Sequence, residues 1–183
     1  MGIINVNDDS FSGDGTLDID QAVVQARVQA SAGADVIDVG AESARTNRVA
    51  VPVKEELRRL LEFLQRWDEV WKGIEPRDSA QVWPPILSVN TWRAAVVEEA
   101  LRAGNVELLN DMSALPDDRN ARLCAEHDVA LLIMHSVGEP KIPQVHQQWR
   151  DVMGAMEEFF IEKLALAMAA GLSEEAIILD PGI

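Results

Sequence analysis

Ala34-Asp35-Val36-Ile37-Asp38-Val39-Gly40-Ala41-Glu42-Ser43-Ala44-Arg45 builds a short apolar run around one carboxylate, breaks it at Gly40, and sets Glu42, Ser43 and Arg45 just beyond the break. An uninterrupted run of this length reads as a strand covered on both faces. A carboxylate inside such a strand is costly unless something pairs with it. Asp38 therefore marks the carboxyl end of this strand as a candidate site, and the rest of the chain repeats the pattern.

Strand-like runs fall near 2–6, 35–39, 86–89, 106–109, 130–134 and 176–179. Helical spacing fills the intervals. Ile19, Val23, Ala26 and Ala30 recur over 18–32, and Val53, Leu57, Leu60, Leu61, Leu64, Trp67 and Trp71 define one long amphipathic helix. Further helices are expected over 91–103, stopped by Gly104, over 117–127, and over 152–170, ended by Gly171. Ser173-Glu174-Glu175 makes only a turn. Strand and helix in alternation specify parallel βαβ units with right-handed crossovers. The residues alone leave two architectures open, a doubly wound sheet and a barrel. The chain reaches Asp180-Pro181-Gly182-Ile183 straight after its sixth strand, so an eight-stranded barrel would lack two βα units and leave two strand edges unpaired. Both architectures place function at the carboxyl ends of the strands.

Each of the six ends carries a polar group: Asn5 with the acidic loop 7–15 (Asp8, Asp9, Asp14), then Asp38 with Glu42 and Arg45, Asn90, Asn110-Asp111, His135, and Asp180. Singly, each has a plain structural alternative. Asn90 or Thr91 can cap the next helix, Asn110-Asp111 and Asp180 suit turns, and His135 suits a core position. Asp38 is the hardest to explain away, and together the six ends should face one mouth.

The 183 residues form a single expected domain, 1–183, with 48% apolar and 26% charged residues, enough for a sizeable core. A net charge of −15 argues against a nucleic-acid partner and requires a local basic pocket for any anionic substrate. The single cysteine, Cys124, excludes an internal disulfide framework and reads as packing. The methionines read mostly as core filler, and Trp67, Trp71 and Trp83 as cover for the long helix. No apolar run approaches a membrane span, and the opening residues lack the basic region of a secretory signal, so a cytoplasmic protein is the default. Neither a Walker loop, nor a dinucleotide glycine loop, nor a closely spaced His/Cys metal cage is present in the sequence.

The stretches Met1-Gly2-Ile3-Ile4-Asn5-Val6-Asn7-Asp8-Asp9-Ser10-Phe11-Ser12 and Ile37-Asp38-Val39-Gly40-Ala41-Glu42-Ser43-Ala44-Arg45 resemble the two opening signatures of dihydropteroate synthases. Leu87-Ser88-Val89-Asn90-Thr91, Leu108-Leu109-Asn110-Asp111, Leu132-Ile133-Met134-His135 and Leu179-Asp180-Pro181-Gly182 follow in the family's order. The resemblance implies a TIM (β/α)8 barrel, incomplete here at about six βα units. It implies a transferase of folate biosynthesis, joining p-aminobenzoate to 6-hydroxymethyl-7,8-dihydropterin diphosphate with loss of pyrophosphate and with Mg2+ as cofactor. By the same resemblance Arg45 and Asp180 are catalytic, and Asp38, Asn90, Asn110, Met134 and Asp180 hold the pterin. Arg45 and Asn5 hold the diphosphate, and Asn5 ligates the metal. The family is usually homodimeric through its carboxyl-terminal units, and its loops corresponding to 7–15 and 44–51 are mobile. This chain departs from the family with Asn90 for the usual Asp, Ala44 for Thr and Thr46 for Pro. The family's lysine, arginine and histidine of the last two units have no counterpart in it. Two alternatives are a non-catalytic pterin-binding paralogue and a methyltetrahydrofolate-binding methyltransferase module.

Overall fold

The computed structural model describes residues 1–7, 15–42, 50–136 and 151–182. Six strands, β1 (Gly2–Asn5), β2 (Val36–Gly40), β3 (Ile86–Asn90), β4 (Leu108–Asp111), β5 (Ala130–Met134) and β6 (Ile177–Asp180), form one parallel sheet in the order β1-β2-β3-β4-β5-β6. That order eliminates the doubly wound alternative, which needs a reversal at a switch point. Strands added always on the same side by right-handed crossovers put every helix on one face, which is the winding of a barrel. The fifth strand has its expected bounds, 130–134, and the others differ by two residues at most; Gly40, Asn90, Asn110 and Asp111 continue the ladder despite their turn chemistry.

Among the described residues the helices are α1 (Ile19–Ser31), α2 (Val53–Leu64), α3 (Trp67–Trp71), α4 (Ala94–Ala103), α5 (Arg119–Glu126) and α6 (Val152–Ala169), with a 3-10 turn at Glu174–Ala176. The expected long helix over 53–71 is thus two helices, broken at Gln65-Arg66. The break lets α3 fold against α1, where the Arg27 guanidinium donates to the carbonyls of Glu69 (2.8 Å) and Lys72 (2.9 Å) at its carboxyl end. The third helix starts at Ala94 rather than at residue 91, since Thr91 and Trp92 are held by side chains described below.

Alternation along the strands separates two faces. Ile4, Ile37, Val39, Leu87, Val89, Leu109, Leu131 and Ile133 are fully buried and face the helices, where Leu60, Phe63, Val70, Val96 and Val97 complete the core. The outer strands are less covered: Ile3, Ile178 and Leu179 are exposed. On α6 only Ala167 is fully buried. Met153 and Met168 stand exposed there, as does Met1, against the expectation that the methionines fill the core. Trp67 is buried, and Trp71 and Trp83 pack on the core. Cys124 is buried too, and burial pushes its thiol up to about 12, so it is inert packing.

Helix α1 is started by Asp18, whose carboxylate accepts from the backbone N–H of Asp20 (2.9 Å) and Gln21 (3.3 Å). Replacing Asp18 with Ala leaves these donors to water, and urea unfolding is expected to show a loss of about 1 kcal/mol.

Candidate active site

The register gathers the inward-facing side chains into layers. Asn5 lies opposite Gly40, Gly40 opposite Asn90, Asn90 opposite Asn110, and Asn110 opposite Leu132. One pleat nearer the amino ends, Asp38 lies opposite Ser88. One pleat nearer the carboxyl ends, Met134 lies opposite Asp180. Asn5, Asp38, Asn90, Asn110, Met134 and Asp180 therefore share one face at one end of the sheet. Arg45 lies outside the described residues, as does most of the loop that holds Asp8, Asp9 and Asp14.

Asp38 is the node of this inner set. It is 3% exposed and accepts from Ser88 Oγ (2.6 Å), Asn110 Nδ2 (3.0 Å) and Asn90 Nδ2 (3.3 Å). Three donors compensate the buried charge only in part: burial is the larger effect and holds the carboxyl above its usual range. Gly40 packs beside Asn90, where an added Cβ would meet the Asn90 Cβ at an ordinary contact distance of 3.4 Å. Asn90 also donates to the Met112 sulfur (3.4 Å), while its buried Oδ1 has no hydrogen-bond partner among the described residues. Asp180 Oδ1 accepts from the Gly182 backbone N–H (2.9 Å), so the turn reading of Asp180 holds as well. The rim as a whole is rich in acceptors and suits a ligand edge made of N–H donors.

The sign of the Asp38 shift gives a stability prediction. Where the folded state binds the proton more tightly than the unfolded state, stability falls as pH rises through the window from the ordinary carboxylate value to the raised one. Above that window the buried charge is a net cost. Asp38→Asn removes it, so the variant is expected to gain stability relative to the parent on going from about pH 4 to about pH 7 in urea titrations, while losing ligand affinity. A variant that loses relative stability over that range would contradict the account.

The residue after each inner-face residue points the other way, toward the helices, and a second polar set lies there. Thr91 Oγ1 donates to Glu56 Oε1 (2.6 Å) on α2. The Arg93 guanidinium pairs with both Glu42 and Glu56, whose side chains are each 1% exposed. Glu42 Oε1 also accepts from the Val51 backbone N–H (3.1 Å). Asp111 accepts from the Ser113 N–H (2.8 Å), Ser113 Oγ (2.6 Å) and Asn120 Nδ2 (2.8 Å), and the same Asn120 amide donates to the Trp92 carbonyl (3.1 Å). Burial raises the Asp111 carboxyl, opposed by the Ser113 and Asn120 hydrogen bonds. The expectation that His135 faces the mouth is corrected: its ring meets Phe159 of α6 edge-on at 4.8 Å, and Met134 takes the inward position. Parity explains the difference, because His135 is one residue past an inward one. Ser88, Glu56, Thr91 and Arg93 had no functional role in the sequence reading. Ser88 was within reach of it, two residues before Asn90 on the same face. The outer set was not, since its pairing spans 35 to 37 residues between β3 and α2.

A cavity of about 520 Å³ opens at the opposite end, lined by the first inward residues Val36, Ile86, Leu108 and Ala130 together with Ile178 and Cys124. It is remote in kind as well as place, since the convergent polar groups lie at the carboxyl ends.

A singly wound parallel α/β sheet with polar side chains converging at its strand carboxyl ends defines a barrel-type protein whose candidate site is that rim. The chain belongs to the pterin binding enzyme family, whose model matches residues 1–183. It is 35% identical over 183 residues to the dihydropteroate synthase of Escherichia coli strain K12, a match that takes in all of this chain and 60% of that protein. Among solved structures, the dihydropteroate synthase of Yersinia pestis with a sulfonamide drug superposes at a TM-score of 0.80 and 34% identity, over 100% of this chain and 62% of the other. That of Burkholderia cenocepacia complexed with 7,8-dihydropteroate does so at 0.79 and 28%, over 100% and 57%. The chain thus spans about three fifths of the length of these relatives. Among the described residues, no helix is long and apolar enough to cross a membrane.

Proposed function

We propose that this chain forms the pterin-binding part of a dihydropteroate synthase, which joins p-aminobenzoate to 6-hydroxymethyl-7,8-dihydropterin diphosphate. The observation that carries the proposal is the inner set itself: Asp38 tied to Ser88, Asn90 and Asn110, with Asp180 and Met134 one pleat above. The guanidine-like edge of a pterin presents adjacent N–H donors, and the carboxylate of Asp180 accepts them in a two-pronged way. Asn110 and Asp38 fix the ring's orientation, and the free Asn90 Oδ1 accepts a further ring N–H. Met134 offers a polarizable face to the flat ring.

In the reaction, the C–O bond to the diphosphate breaks with its electron pair leaving on pyrophosphate. The arylamine nitrogen forms the new C–N bond and releases its proton. Asp38 and Asp180 lie where positive charge grows on the pterin and stabilise it. Asn90, neutral in this position, contributes less than a carboxylate would. Arg45 clamps the diphosphate through its planar guanidinium. Among the described residues no group of three or more His, Cys, Asp or Glu side chains could enclose a metal. The single amide oxygen of Asn5 fits a Mg2+ ion that keeps most of its shell as water and phosphate oxygen. Such an ion would neutralise charge on the departing pyrophosphate.

Calorimetric titration with 6-hydroxymethyl-7,8-dihydropterin diphosphate and Mg2+, followed by an assay for dihydropteroate after adding p-aminobenzoate, tests the reading. Saturable one-site binding and product formation are expected. Absence of both would overturn it, and binding without product would favour the non-catalytic alternative.

A further inference from the structure

We propose that Arg93 is a positioning residue, which ties the exit of β2 to the start of α2 and so sets both ends of the span 43–50 beside the pterin-binding rim. The geometry is specific. Glu42 follows β2 by two residues, and one of its oxygens accepts the Val51 N–H at 3.1 Å while the carboxylate pairs with Arg93. Val51 lies two residues before α2 begins. The departing and returning backbones are thus bridged by one side chain across nine residues of sequence. Arg93, three residues past β3, is in turn shared with Glu56 of α2, which also receives the Thr91 hydroxyl. Glu42 and Glu56 are almost wholly shielded from solvent, and Arg93 is 18% exposed. No surface ion pair would hold this geometry, since exposed side chains trade such partners for water. One guanidinium nitrogen of Arg93, Nη1, lies between the two carboxylates, so a single cation links three backbone segments.

The inference rests on the proposed function for its consequence, because the span that Glu42 and Val51 delimit carries Arg45 in sequence. Its structural content does not. Two readouts separate them: amide hydrogen exchange by NMR, and steady-state kinetics.

In Arg93→Met, Glu42 loses its ion pair with residue 93, and its hold on the Val51 N–H loosens. The Val51 amide should then exchange at least about tenfold faster than in the parent, after normalisation to the α4 core amides Val97 and Leu101, which report global opening. Arg93→Lys, which keeps a cation, should recover most of the protection. Glu42→Gln is the second variant and avoids an unpaired buried charge at residue 42. It retains an acceptor oxygen for Val51 but offers Arg93 an amide in place of a carboxylate, so normalised Val51 exchange should still accelerate severalfold. A normalised Val51 rate unchanged in a folded Arg93→Met protein, or in Glu42→Gln should Arg93→Met not fold, would overturn the proposal. In turnover, Arg93→Met should raise KM for the pterin diphosphate about tenfold with kcat within about threefold, as expected for lost placement rather than lost chemistry. An unchanged KM would also overturn the positioning role. If the parent enzyme makes no dihydropteroate, the proposed function fails while the exchange comparison still decides whether Arg93 places Val51.

Discussion

Arg93→Met is expected to lower the unfolding free energy by about 3–5 kcal/mol, the usual cost of leaving a buried ion-pair partner alone. Glu42 and Glu56 are both shielded, and Arg93 is the cation paired with both. Removing it takes that cation from two shielded carboxylates, and the hydrogen bonds they keep, from the Thr91 hydroxyl to Glu56 and from the Val51 N–H to Glu42, are neutral donors that offset only part of the loss. Urea denaturation monitored by tryptophan fluorescence measures the effect, with Trp67 in the core as a reporter. The triple variant carrying Glu42→Gln and Glu56→Gln as well removes all three charges, and it should recover much of the loss, because neutral amides tolerate burial when hydrogen-bonded. A loss below about 1 kcal/mol in Arg93→Met would place the cluster in the class of surface pairs, against the burial seen here.

Asp180→Ala is expected to weaken binding of 6-hydroxymethylpterin diphosphate about a hundredfold, the equivalent of about 2.7 kcal/mol for losing a two-pronged charge-assisted contact. Two effects add in one direction. The ligand's N–H donors lose their acceptors, and the site then holds them unpaired. Asp180→Asn separates these from the turn, since Asn Oδ1 can still accept the Gly182 N–H that Asp180 holds at 2.9 Å. It should bind more weakly than the parent but better than Asp180→Ala. Parent-like affinity in both variants would remove Asp180 from the site.

The parallel βαβ character of the sheet was legible in the sequence, because six apolar runs alternate with helical spacing. The choice between barrel and doubly wound sheet was not, since strand order is a tertiary property; only the family resemblance pointed to the barrel, and the order β1 to β6 decides it. Asp38 announced itself as a polar residue in an apolar run, and its partners Asn90 and Asn110 were already named as strand-end residues. Their mutual hydrogen bonds follow from register, which the sequence of parallel strands does not display. His135 went astray for a single-residue reason: strand ends alternate in direction, and Met134 holds the inward parity. The break at Gln65-Arg66 was hidden because residues on both sides keep helical spacing; a contact from Arg27, some forty residues earlier in the chain, accompanies the bend. Within the Glu42–Arg93–Glu56 cluster only Glu42 was marked, as a strand-end residue; Arg93 and Glu56 look like ordinary surface charges until α2 is laid against the exits of β2 and β3.

The side-chain amide resonances of Asn90 and Asn110 offer the most direct check that the inner rim is the pterin site. Titrating the isotope-labelled protein with 6-hydroxymethylpterin diphosphate should shift both amide pairs saturably, with the Asn120 amide behind the rim, held by Asp111 and Trp92, moving far less. Saturable shifts confined to residues around the amino-end cavity, such as Ala125 and Leu172, with Asn90 and Asn110 unmoved, would contradict it.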